Sequence, residues 1–485
     1  MLSRVEQTSV DAVSARCSLS LLGYIEDDGL VQHFSKPSRK SPLVNRLYYQ
    51  RNKVLEVIIS RFEQSCKTLG EDCCIINLGA GLSPCLLGMG SHVSVVEVDT
   101  PAVVEAKRKC LGACPATSIG SCKYSLHAAD LGDVAGLDQV VTADRSLPTL
   151  LLLECVLAYL THDKARQLLE WASISFQSAV VLIYNPIGKH DRYTAASLAA
   201  FHHQGVDGME EPLSTAGMLD MLVQSGWLHP NVVDMNEASR LVIPTSDSER
   251  VARIEPFDEY ASLHAVNSHY CIALASHQQD FDHLLFGLPS DVSEQQRRER
   301  AQDMLNVMEA RADALKRSFN RAVTIASISP QYEDQVRVIY REGHALFKHP
   351  SVRKHLASSL KQDMANITEC YSCPDTNFWI ARLGEGSRAL VLGHVAMHIS
   401  EKGAELKRMA VSEAARRMSI GRKLLDTLTR AAKARGCHRV YLTTINEPAA
   451  GAISFYAANG FGTSKVMHYS MGGEDLEILE MELLL

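Results

Sequence analysis

Acidic side chains recur where apolar segments of this sequence end, and they are its clearest candidates for binding chemistry. Asp99 ends the segment VVEVD, twenty residues after Gly79 of the turn Gly79-Ala80-Gly81. Glycines let a ligand approach the backbone, and an acid at the end of the next strand can accept hydrogen bonds from ribose hydroxyls. The third glycine of the dinucleotide-binding fingerprint is absent, which favours a nucleoside ligand such as S-adenosylmethionine over a pyrophosphate. A purely structural turn is the alternative.

Two further acids follow the same rule. Asp130 ends the segment HAAD, and Glu154 lies in the near-continuous apolar run Thr149–Val156. Asp130 has the right chemistry to accept a hydrogen bond from an adenine amino group. The carboxyl ends of parallel strands face one crevice, so these acids are expected to meet there. Each acid alone could be an ordinary loop residue, but their shared position at successive strand ends indicates a ligand site.

Cations are concentrated between Lys36 and Arg51, where a helical pattern begins. Arg51 opens this pattern, and the apolar spacing across Val54–Ile59 fits one buried helix face. A guanidinium binds a carboxylate in a fixed two-pronged geometry, and S-adenosylmethionine carries a carboxylate. A solvated basic surface is the alternative.

Length and composition indicate a soluble globular protein with two or three domains, because 485 residues exceed one ordinary core. The net charge of −7 gives no support for a broad polyanion-binding surface. The N-terminus lacks the apolar core of a signal peptide, and the longest apolar run, Leu147–Leu160, is too short to span a bilayer. Thirteen scattered cysteines suggest reduced thiols in a cytosolic or nuclear protein, and of these two we expect a cytoplasmic one without membrane association. The single CxxC, Cys370–Cys373, has no nearby partner pair, and no metal site is expected.

The elements that must position these residues alternate between strands and helices. Cys73–Asp99 is interpreted as a strand, a glycine turn, a helix-like segment and a second strand. A helix is predicted at Ala102–Cys110, and further strands at Thr149–Val156 and Ala179–Tyr184. This alternation predicts an α/β fold with a doubly wound, Rossmann-like sheet.

Seven segments, in the same order, resemble the leucine carboxyl methyltransferase family over residues 8–277. They are RKSPLVNRLYYQR, INLGAGLS, EVDTP, AADL, LLLECVLAYL, VDMNE, and RIEPFDEY with a later HY. The resemblance implies an S-adenosylmethionine-dependent carboxyl methyltransferase with Tyr159 near the site of methyl transfer. It also implies that the methyl donor is held by Lys40, Arg51, Gly79, Asp99, Asp130, Leu131 and Glu154.

The family contains two branches that differ in the methyl acceptor. One methylates a carboxylate on a tRNA base during wybutosine synthesis, and the other methylates the C-terminal leucine carboxylate of the protein phosphatase 2A catalytic subunit. The segments VDMNE and IEPFDE are more similar to the tRNA branch, whereas Leu47 replaces the glycine usual in NRGY and no kelch-type propeller follows. An ionised carboxylate is already a nucleophile at neutral pH, so neither acceptor needs a general base.

The character of the sequence changes after residue 285. The charged segment 286–320 is predicted to be an interdomain helix that begins near Ser293, a good N-cap residue. It separates a methyltransferase domain, residues 1–285, from a second domain, residues 321–485.

A strand, a turn and an amphipathic helix stand out in this second domain. The strand is Glu405–Val411, and Arg416–Arg422 opens the helix. Free backbone N–H groups and the helix dipole at such a position both favour a pyrophosphate. A plain helix cap is the alternative.

Residues 322–485 resemble the GNAT acetyltransferases, including camello-like members, whose spaced run ending in Phe-Trp is similar to Asp363–Trp379. The resemblance implies an α+β domain that uses acetyl-coenzyme A. Ser419 replaces the first glycine of R-x-x-G-x-G, and we expect it in ordinary helical geometry with weakened binding. Contacts to the coenzyme are expected from Met409, Val411, Arg416, Arg417, Ser419, Gly421, Arg422 and Asn446.

Two residues of this domain are candidates for acid–base catalysis. Tyr456 is the candidate acid for the coenzyme thiolate, and Glu405 is the candidate base for an amine acceptor of unknown identity. A buried tyrosine and a strand-edge glutamate are the structural alternatives. A non-catalytic module that binds the coenzyme or positions a partner is the alternative function of the domain.

Overall fold

The computed structural model describes residues 3–26, 30–114, 120–203, 210–277, 281, 283–286, 312, 314–345, 347, 350–386, 389–447, 451–471 and 474–485. The chain divides into two compact units, Met1–Leu315 and Lys316–Leu485. Most of the helix predicted at 286–320 lies outside the described residues.

The first unit is built on a seven-stranded sheet with the order β3-β2-β1-β4-β5-β7-β6. Strands β1 to β5 run parallel, and β7 lies antiparallel between β5 and β6. Strand order reverses between β1 and β4, so their carboxyl ends open onto a crevice. The predicted doubly wound α/β fold is confirmed. The strands are β1 Cys73–Leu78, β2 Val93–Asp99, β3 Lys123–Ala128, β4 Thr149–Glu154, β5 Ala179–Pro186, β6 His229–Asp234 and β7 Tyr270–Ser276.

Helices cover both faces of this sheet, so alternate residues of each central strand pack into two different cores. Ile75 and Leu152 pack in one core, while Ile76 and Leu151 pack in the other. The helices of this unit are α1 Arg4–Leu22, α2 Pro42–Leu69, α3 Pro101–Gly112, α4 Val134–Val140, α5 His162–Ser175, α6 Arg192–His203, α7 Thr215–Gln224, α8 Met235–Val242, α9 Thr245–Ala252, α10 Tyr260–Asn267 and α11 His283–Phe286.

Two local predictions in this unit were wrong. Arg51 does not open its helix, because Ser41 caps α2 ahead of Pro42 and the helix begins there. The segment between the glycine turn and β2 forms successive turns rather than a helix. Pro84 and Gly88 within it disfavour a continuous helix, so no helix N-terminus faces a ligand at this turn.

The second unit contains a second seven-stranded sheet, with the order β13-β14-β12-β11-β10-β9-β8. Neighbouring strands are antiparallel except β11 and β12, which are parallel. This arrangement confirms the predicted α+β class. The elements are β8 Val323–Ser327, α12 Glu333–Ala345, α13 Pro350–Lys361, α14 Ile367–Cys370, β9 Thr376–Leu383, β10 Leu390–Ser400, β11 Gly403–Val411, α15 Ile420–Ala434, β12 Arg439–Ile445, α16 Ala452–Ala458, β13 Gly462–Met471 and β14 Glu474–Leu484.

Strands β11 and β12 part from each other soon after they meet. Their pairing is limited to Ala404 with Val440 and Glu405 with Tyr441, although β11 continues to Val411 and β12 to Ile445. A bulge adds to this divergence, since Arg408 in β11 has a φ of 50° and the register with β10 shifts there. The result is a wedge within the sheet, open toward the start of α15.

All thirteen cysteines are free thiols. No helix in the described part of the chain has the length and apolarity needed to cross a bilayer.

Candidate functional site

Arg51 and Glu154 form a largely buried ion pair at the carboxyl end of β4. Arg51 Nε lies 2.5 Å from Glu154 Oε1, and the two side chains are 15% and 21% exposed. Burial lowers the pKa of the guanidinium, but attraction to Glu154 outweighs it, so the pKa lies well above its ordinary value. The pair presents opposite charges side by side, which complements the carboxylate and ammonium of an amino-acid ligand.

The glycine turn after β1 lies tightly against the loop that follows β4. Gly79 has a φ of 75°, and a Cβ there would lie 2.5 Å from Val156 Cγ2 and 3.7 Å from Leu131 Cδ1. Only glycine adopts this conformation readily and leaves that space open. The turn therefore brings the predicted residues Gly79 and Leu131 together in the crevice.

Asp99 at the end of β2 shapes the same turn. Its carboxylate accepts hydrogen bonds from the backbone N–H groups of Gly81 and Thr100, both at 2.7 Å. Burial raises the pKa of Asp99 despite these donors. Each carboxylate oxygen has a second lone pair, so the carboxylate can hold the turn and still accept bonds from ribose hydroxyls.

The hydrogen bonds of Asp130 and Lys40 are with neighbouring residues and not with the other predicted site residues. Asp130 is exposed after β3, and its Oδ1 accepts a hydrogen bond from Gly132 N at 2.8 Å. Lys40 is anchored through its backbone, whose N–H donates to Ser18 Oγ at 3.0 Å and whose oxygen accepts from Asn45 Nδ2 at 3.2 Å. These contacts fix the backbone at both positions.

Tyr159 lies in the turn after β4, together with a strained cysteine. Its hydroxyl donates to Thr8 Oγ1 of α1 at 3.4 Å, and burial raises its pKa, so the phenol stays protonated. Cys155, directly after Glu154, has a φ of 58°, a conformation that non-glycine residues rarely adopt. Backbone strain of this kind is often found at binding sites.

Sequence reasoning missed the aromatic wall of this crevice. Tyr184 and Tyr270 stack with ring centroids 5.2 Å apart, and the Arg51 guanidinium lies 4.8 Å from the Tyr184 ring centroid. Tyr48 approaches the same guanidinium at 5.3 Å. The segments NRLYYQR and HY contain Tyr48 and Tyr270, but nothing in the sequence showed that β5 and β7 would bring their tyrosines together.

Glu255 connects the basic segment before α2 to the segment RIEPFDEY. It is 5% exposed, and its carboxylate accepts hydrogen bonds from Arg39 at 2.7 Å and from Tyr24 and Asn45 at 3.0 Å. This network pairs part of the basic segment with an acid, so the segment is not simply a solvated cationic surface.

In the second unit, the wedge between β11 and β12 opens into a cavity of about 940 Å³. The diverging strands leave backbone groups unpaired along both inner edges, and such groups need partners. The cavity is lined by every predicted coenzyme contact except Asn446, namely Met409, Val411, Arg416, Arg417, Ser419, Gly421 and Arg422. Asn446 is exposed beyond the lining, and its N–H donates to Glu477 O at 2.8 Å.

The turn before α15 departs from the expected geometry at Ser419. Its φ of 62° and ψ of 12° are left-handed, so the expectation of ordinary helical geometry was wrong. Arg417 is left-handed too, with a φ of 67°. The tight turn between β11 and α15 requires these angles, which explains why the related motif carries glycine there. Gly421 is needed for space, since a Cβ there would lie 3.2 Å from the Phe455 ring.

Both acid–base candidates line the cavity. Tyr456 is 8% exposed, and burial raises the pKa of its phenol, so it carries a proton at neutral pH. Glu405 Oε2 lies 3.6 Å from Lys407 Nζ and 3.9 Å from His398 Nδ1. The tyrosine can donate a proton, whereas the glutamate lies beside the Lys407 ammonium.

A buried network at the β11 bulge was not anticipated. Arg408 binds Asp363 through two nitrogens, at 2.8 and 2.9 Å, and donates to Tyr340 OH at 2.6 Å. His394 Nδ1 lies 2.5 Å from Arg408 O, and burial lowers the pKa of this histidine to about 3. The bulge is therefore held from both its side chain and its backbone. Among the residues of this network, the sequence had drawn attention to Asp363, which begins the camello-like run.

Family models match both units. The family model described as "Leucine carboxyl methyltransferase" matches residues 19–173, and the model described as "Acetyltransferase (GNAT) family" matches residues 334–461. The sequence is 30% identical to the Leucine carboxyl methyltransferase 1 homolog of Arabidopsis thaliana over 56% of this chain and 88% of that protein. It is 27% identical to the tRNA wybutosine-synthesizing protein 4 of Homo sapiens over 58% of this chain and 45% of that protein. A Thermoplasma acidophilum N-acetyltransferase, solved with coenzyme A, is 19% identical over 34% of this chain and 99% of its own, with a TM-score of 0.27.

Proposed function

The chain belongs to the leucine carboxyl methyltransferase family and also carries a GNAT-family domain, and from this we propose that it is a bifunctional transferase. The first domain methylates a carboxylate from S-adenosylmethionine. The second acetylates an amine from acetyl-coenzyme A.

The ion pair of Arg51 and Glu154 is the observation that best supports methyl-donor binding. Arg51 would bind the carboxylate of S-adenosylmethionine and Glu154 its ammonium, so that the two charges of the ligand meet opposite charges. Asp99 would accept from the ribose hydroxyls, and Asp130 with Leu131 would hold the adenine. Gly79 leaves the space that a Cβ would fill.

Methyl transfer to a carboxylate needs alignment more than acid–base chemistry. S-adenosylmethionine supplies an electrophilic methyl group, and the acceptor is ionised at neutral pH. The protein orients the acceptor oxygen and removes part of its water shell. Tyr159 and the Tyr184–Tyr270 stack suit this role, because burial raises the pKa of each phenol, so the three rings form an uncharged wall with little access to water.

The methyl acceptor that we favour is the carboxylate side chain of a wybutosine precursor in tRNA. The segments VDMNE and IEPFDE support this branch. Asp234 of the first segment caps α8, and Glu255 of the second anchors the basic segment before α2, so both segments determine the shape of this region. The relative named tRNA wybutosine-synthesizing protein 4 agrees with this assignment.

The C-terminal leucine carboxylate of protein phosphatase 2A is the second candidate. Two observations favour it: the relative named Leucine carboxyl methyltransferase 1 homolog is matched over 88% of its length, and the net charge is negative. A tRNA-binding domain usually carries a positive surface.

The open wedge between β11 and β12 is the observation that supports acetyl-coenzyme A binding. The pantetheine arm would pair with the unpaired backbone of Met409–Val411, and the pyrophosphate would lie at Arg416–Arg422 near the start of α15. Tyr456 would protonate the departing thiolate.

Labelled methyl transfer would test the first activity. The chain should be incubated with methyl-labelled S-adenosylmethionine and either tRNA that carries the carboxylate precursor or the phosphatase catalytic subunit. A methyl ester releases its label as methanol in mild alkali, which distinguishes it from N-methylation. Matched controls are tRNA lacking the precursor side chain and a phosphatase subunit lacking its terminal leucine. Label in neither acceptor would overturn both assignments.

Calorimetry with acetyl-coenzyme A would test the second domain. Binding is expected for the unaltered chain and should be tighter for Ser419→Gly. Failure of both proteins to bind would overturn the acetyltransferase function. Binding without thiol release would instead indicate a coenzyme-binding module.

A further inference from the structure

Helix α12 lies very close to strand β11 at Gly343. A Cβ on Gly343 would lie 3.1 Å from Ala410 Cβ, in the middle of the strand segment expected to bind pantetheine. Contacts that tight are rare for real side chains, so the glycine allows α12 to lie directly against β11. The next residue, His344, lines the cavity beside this contact.

The hydrogen bonding of His344 determines its tautomer. Nδ1 lies 2.8 Å from the main-chain oxygen of Tyr340, one helical turn earlier. A carbonyl oxygen can only accept, so Nδ1 carries the hydrogen and Nε2 carries the lone pair. A neutral imidazole with a lone pair on Nε2 can remove a proton from a ligand.

The neighbouring histidines are not equivalent. His355 also lines the cavity, but its Nε2 lies 3.2 Å from Arg408 Nη1. Arginine only donates, so the lone pair of His355 is occupied by that bond. His394 is fully buried and donates to Arg408 O. Among the described residues, His344 is the one of these three imidazoles that lines the cavity and has no hydrogen-bond partner at Nε2.

We propose that His344 is the general base that takes the proton from the amine acceptor in the acetyl-transfer reaction. This assignment rests on the proposed acetyltransferase function and replaces Glu405 in that role. His344 Nε2 removes one proton from the acceptor ammonium, and the free amine attacks the thioester carbon. The new C–N bond forms as the C–S bond breaks. The nitrogen loses its second proton to solvent, and the thiolate gains one from Tyr456, which solvent restores. His344 then releases the proton it took to solvent, so the net products are the amide, the thiol and one proton.

The surroundings of His344 favour the neutral form. Burial lowers its pKa, and the electrostatic influence of nearby Arg408 and His355 lowers it further, while the Tyr340 carbonyl opposes this. Glu405 and Lys407 on the cavity wall lie 3.6 Å apart and offset each other, whereas Arg416, Arg417 and Arg422 add positive charge to the same wall. Asp363 is bound to Arg408 in a two-pronged ion pair and offsets part of its charge. His344 therefore begins the reaction with its lone pair free at neutral pH.

The first test is spectroscopic and independent of turnover. Nitrogen-15 NMR of histidine-labelled full-length chain should show His344, identified by the signal missing in His344→Gln, as the Nδ1–H tautomer. Its titration midpoint should fall below 6.5, the ordinary value for histidine. An Nε2–H tautomer, or an imidazolium at pH 7, would overturn the assignment.

The second test measures thiol release from acetyl-coenzyme A, with spermidine as the probe amine and water as the background acceptor. His344→Gln should lower release about 100-fold, a usual effect of removing a general base. The acid limb of the pH–rate profile should disappear, and the dissociation constant for acetyl-coenzyme A should change less than twofold. His438→Gln, at an exposed site outside the cavity lining, is the matched control and should behave like the unaltered chain.

The possible failures are distinguishable. Release that persists in His344→Gln with an unchanged pH profile, but falls in Glu405→Gln, would overturn this assignment and leave the acetyltransferase function intact. No thiol release from the unaltered chain, despite measured coenzyme binding, would overturn the acetyltransferase function and this assignment with it.

Discussion

Arg51 Nε lies 2.5 Å from Glu154 Oε1, joining the middle of a long helix to the end of a central strand. The pair is enclosed by Tyr48 and Tyr184, so neither charge is fully solvated. Removing one partner leaves the other buried and uncompensated. The same two groups thus support both the fold and the proposed donor site, and conservative substitutions are needed to separate the two roles.

Arg51→Lys should weaken S-adenosylmethionine binding roughly 10- to 100-fold, because lysine keeps the charge but loses the two-pronged geometry. Isothermal calorimetry measures the affinity, and thermal unfolding checks the fold. Lys67→Gln, at an exposed position of the same helix, is the control and should bind normally. Unchanged affinity in Arg51→Lys would contradict the assignment of Arg51 to the ligand carboxylate.

Gly79→Ala should abolish S-adenosylmethionine binding and destabilise the first domain by about 2–4 kcal/mol. The added Cβ would meet Val156 Cγ2 at 2.5 Å and would adopt a left-handed φ. Gly88→Ala is the matched control, since nothing lies within 4 Å of its Cβ position.

A double-mutant cycle separates the two causes of the destabilisation by Gly79→Ala, namely the steric clash with Val156 and the left-handed backbone. Val156→Ala removes the clashing methyl, so the double variant should be more stable than the sum of the single effects by at least about 1 kcal/mol. Simple additivity in urea unfolding would mean that the clash is relieved in another way.

Ser419→Gly should stabilise the second domain by about 1 kcal/mol, because Ser419 holds a left-handed conformation that glycine adopts freely. Acetyl-coenzyme A affinity should rise a few-fold by calorimetry. Ser412→Gly is the opposite control, because Ser412 has an ordinary φ of −56° and should lose stability. Equal effects at both serines would argue against strain at residue 419.

His394 should make the second domain less stable as pH falls. Its folded pKa is about 3, whereas an unfolded histidine titrates near 6.5. Between these two pH values the unfolded chain binds a proton that the folded chain does not. The stability that neutral His394 contributes is therefore complete above pH 6.5, and below it the free energy of unfolding falls by up to about 1.4 kcal/mol per pH unit.

Urea unfolding at several pH values, followed by hydrogen exchange of β10 and β11 amides, would measure this dependence. His394→Gln keeps a donor for Arg408 O but does not titrate, so its profile should be flatter between pH 6.5 and 4. His438→Gln, at an exposed position, should retain the original slope. Parallel profiles for the unaltered chain and His394→Gln would contradict a neutral buried imidazole.

The sequence predicted the sheets well, because buried parallel strands have a distinctive composition. Thr149–Val156 contains β4, and the acids Asp99 and Glu154 end their strands as expected. The turn-rich segment before β2 was mistaken for a helix because its apolar residues outweighed Pro84 and Gly88. The local apolar pattern identified the strands correctly, but in the segment before β2 the proline and the glycine determined the conformation.

Site residues that depend on tertiary approach could not be predicted from a single sequence. His344 became a candidate only because Gly343 allows α12 to lie against Ala410, a contact between residues far apart in the chain. Tyr270 reaches Tyr184 because β7 runs antiparallel beside β5. Ser419 was expected in helical geometry because residue type alone does not reveal the sign of φ.

The parting of β11 and β12 has a thermodynamic consequence. It creates two strand edges inside a sheet, and interior edges with unpaired backbone groups are costly for a folded domain. A ligand that spans this gap acts as the missing strand, and its binding energy becomes folding energy. At one hundred times its dissociation constant, such a ligand would add about 2.7 kcal/mol to the stability of the domain. The amount of folded second domain would then follow the supply of that ligand.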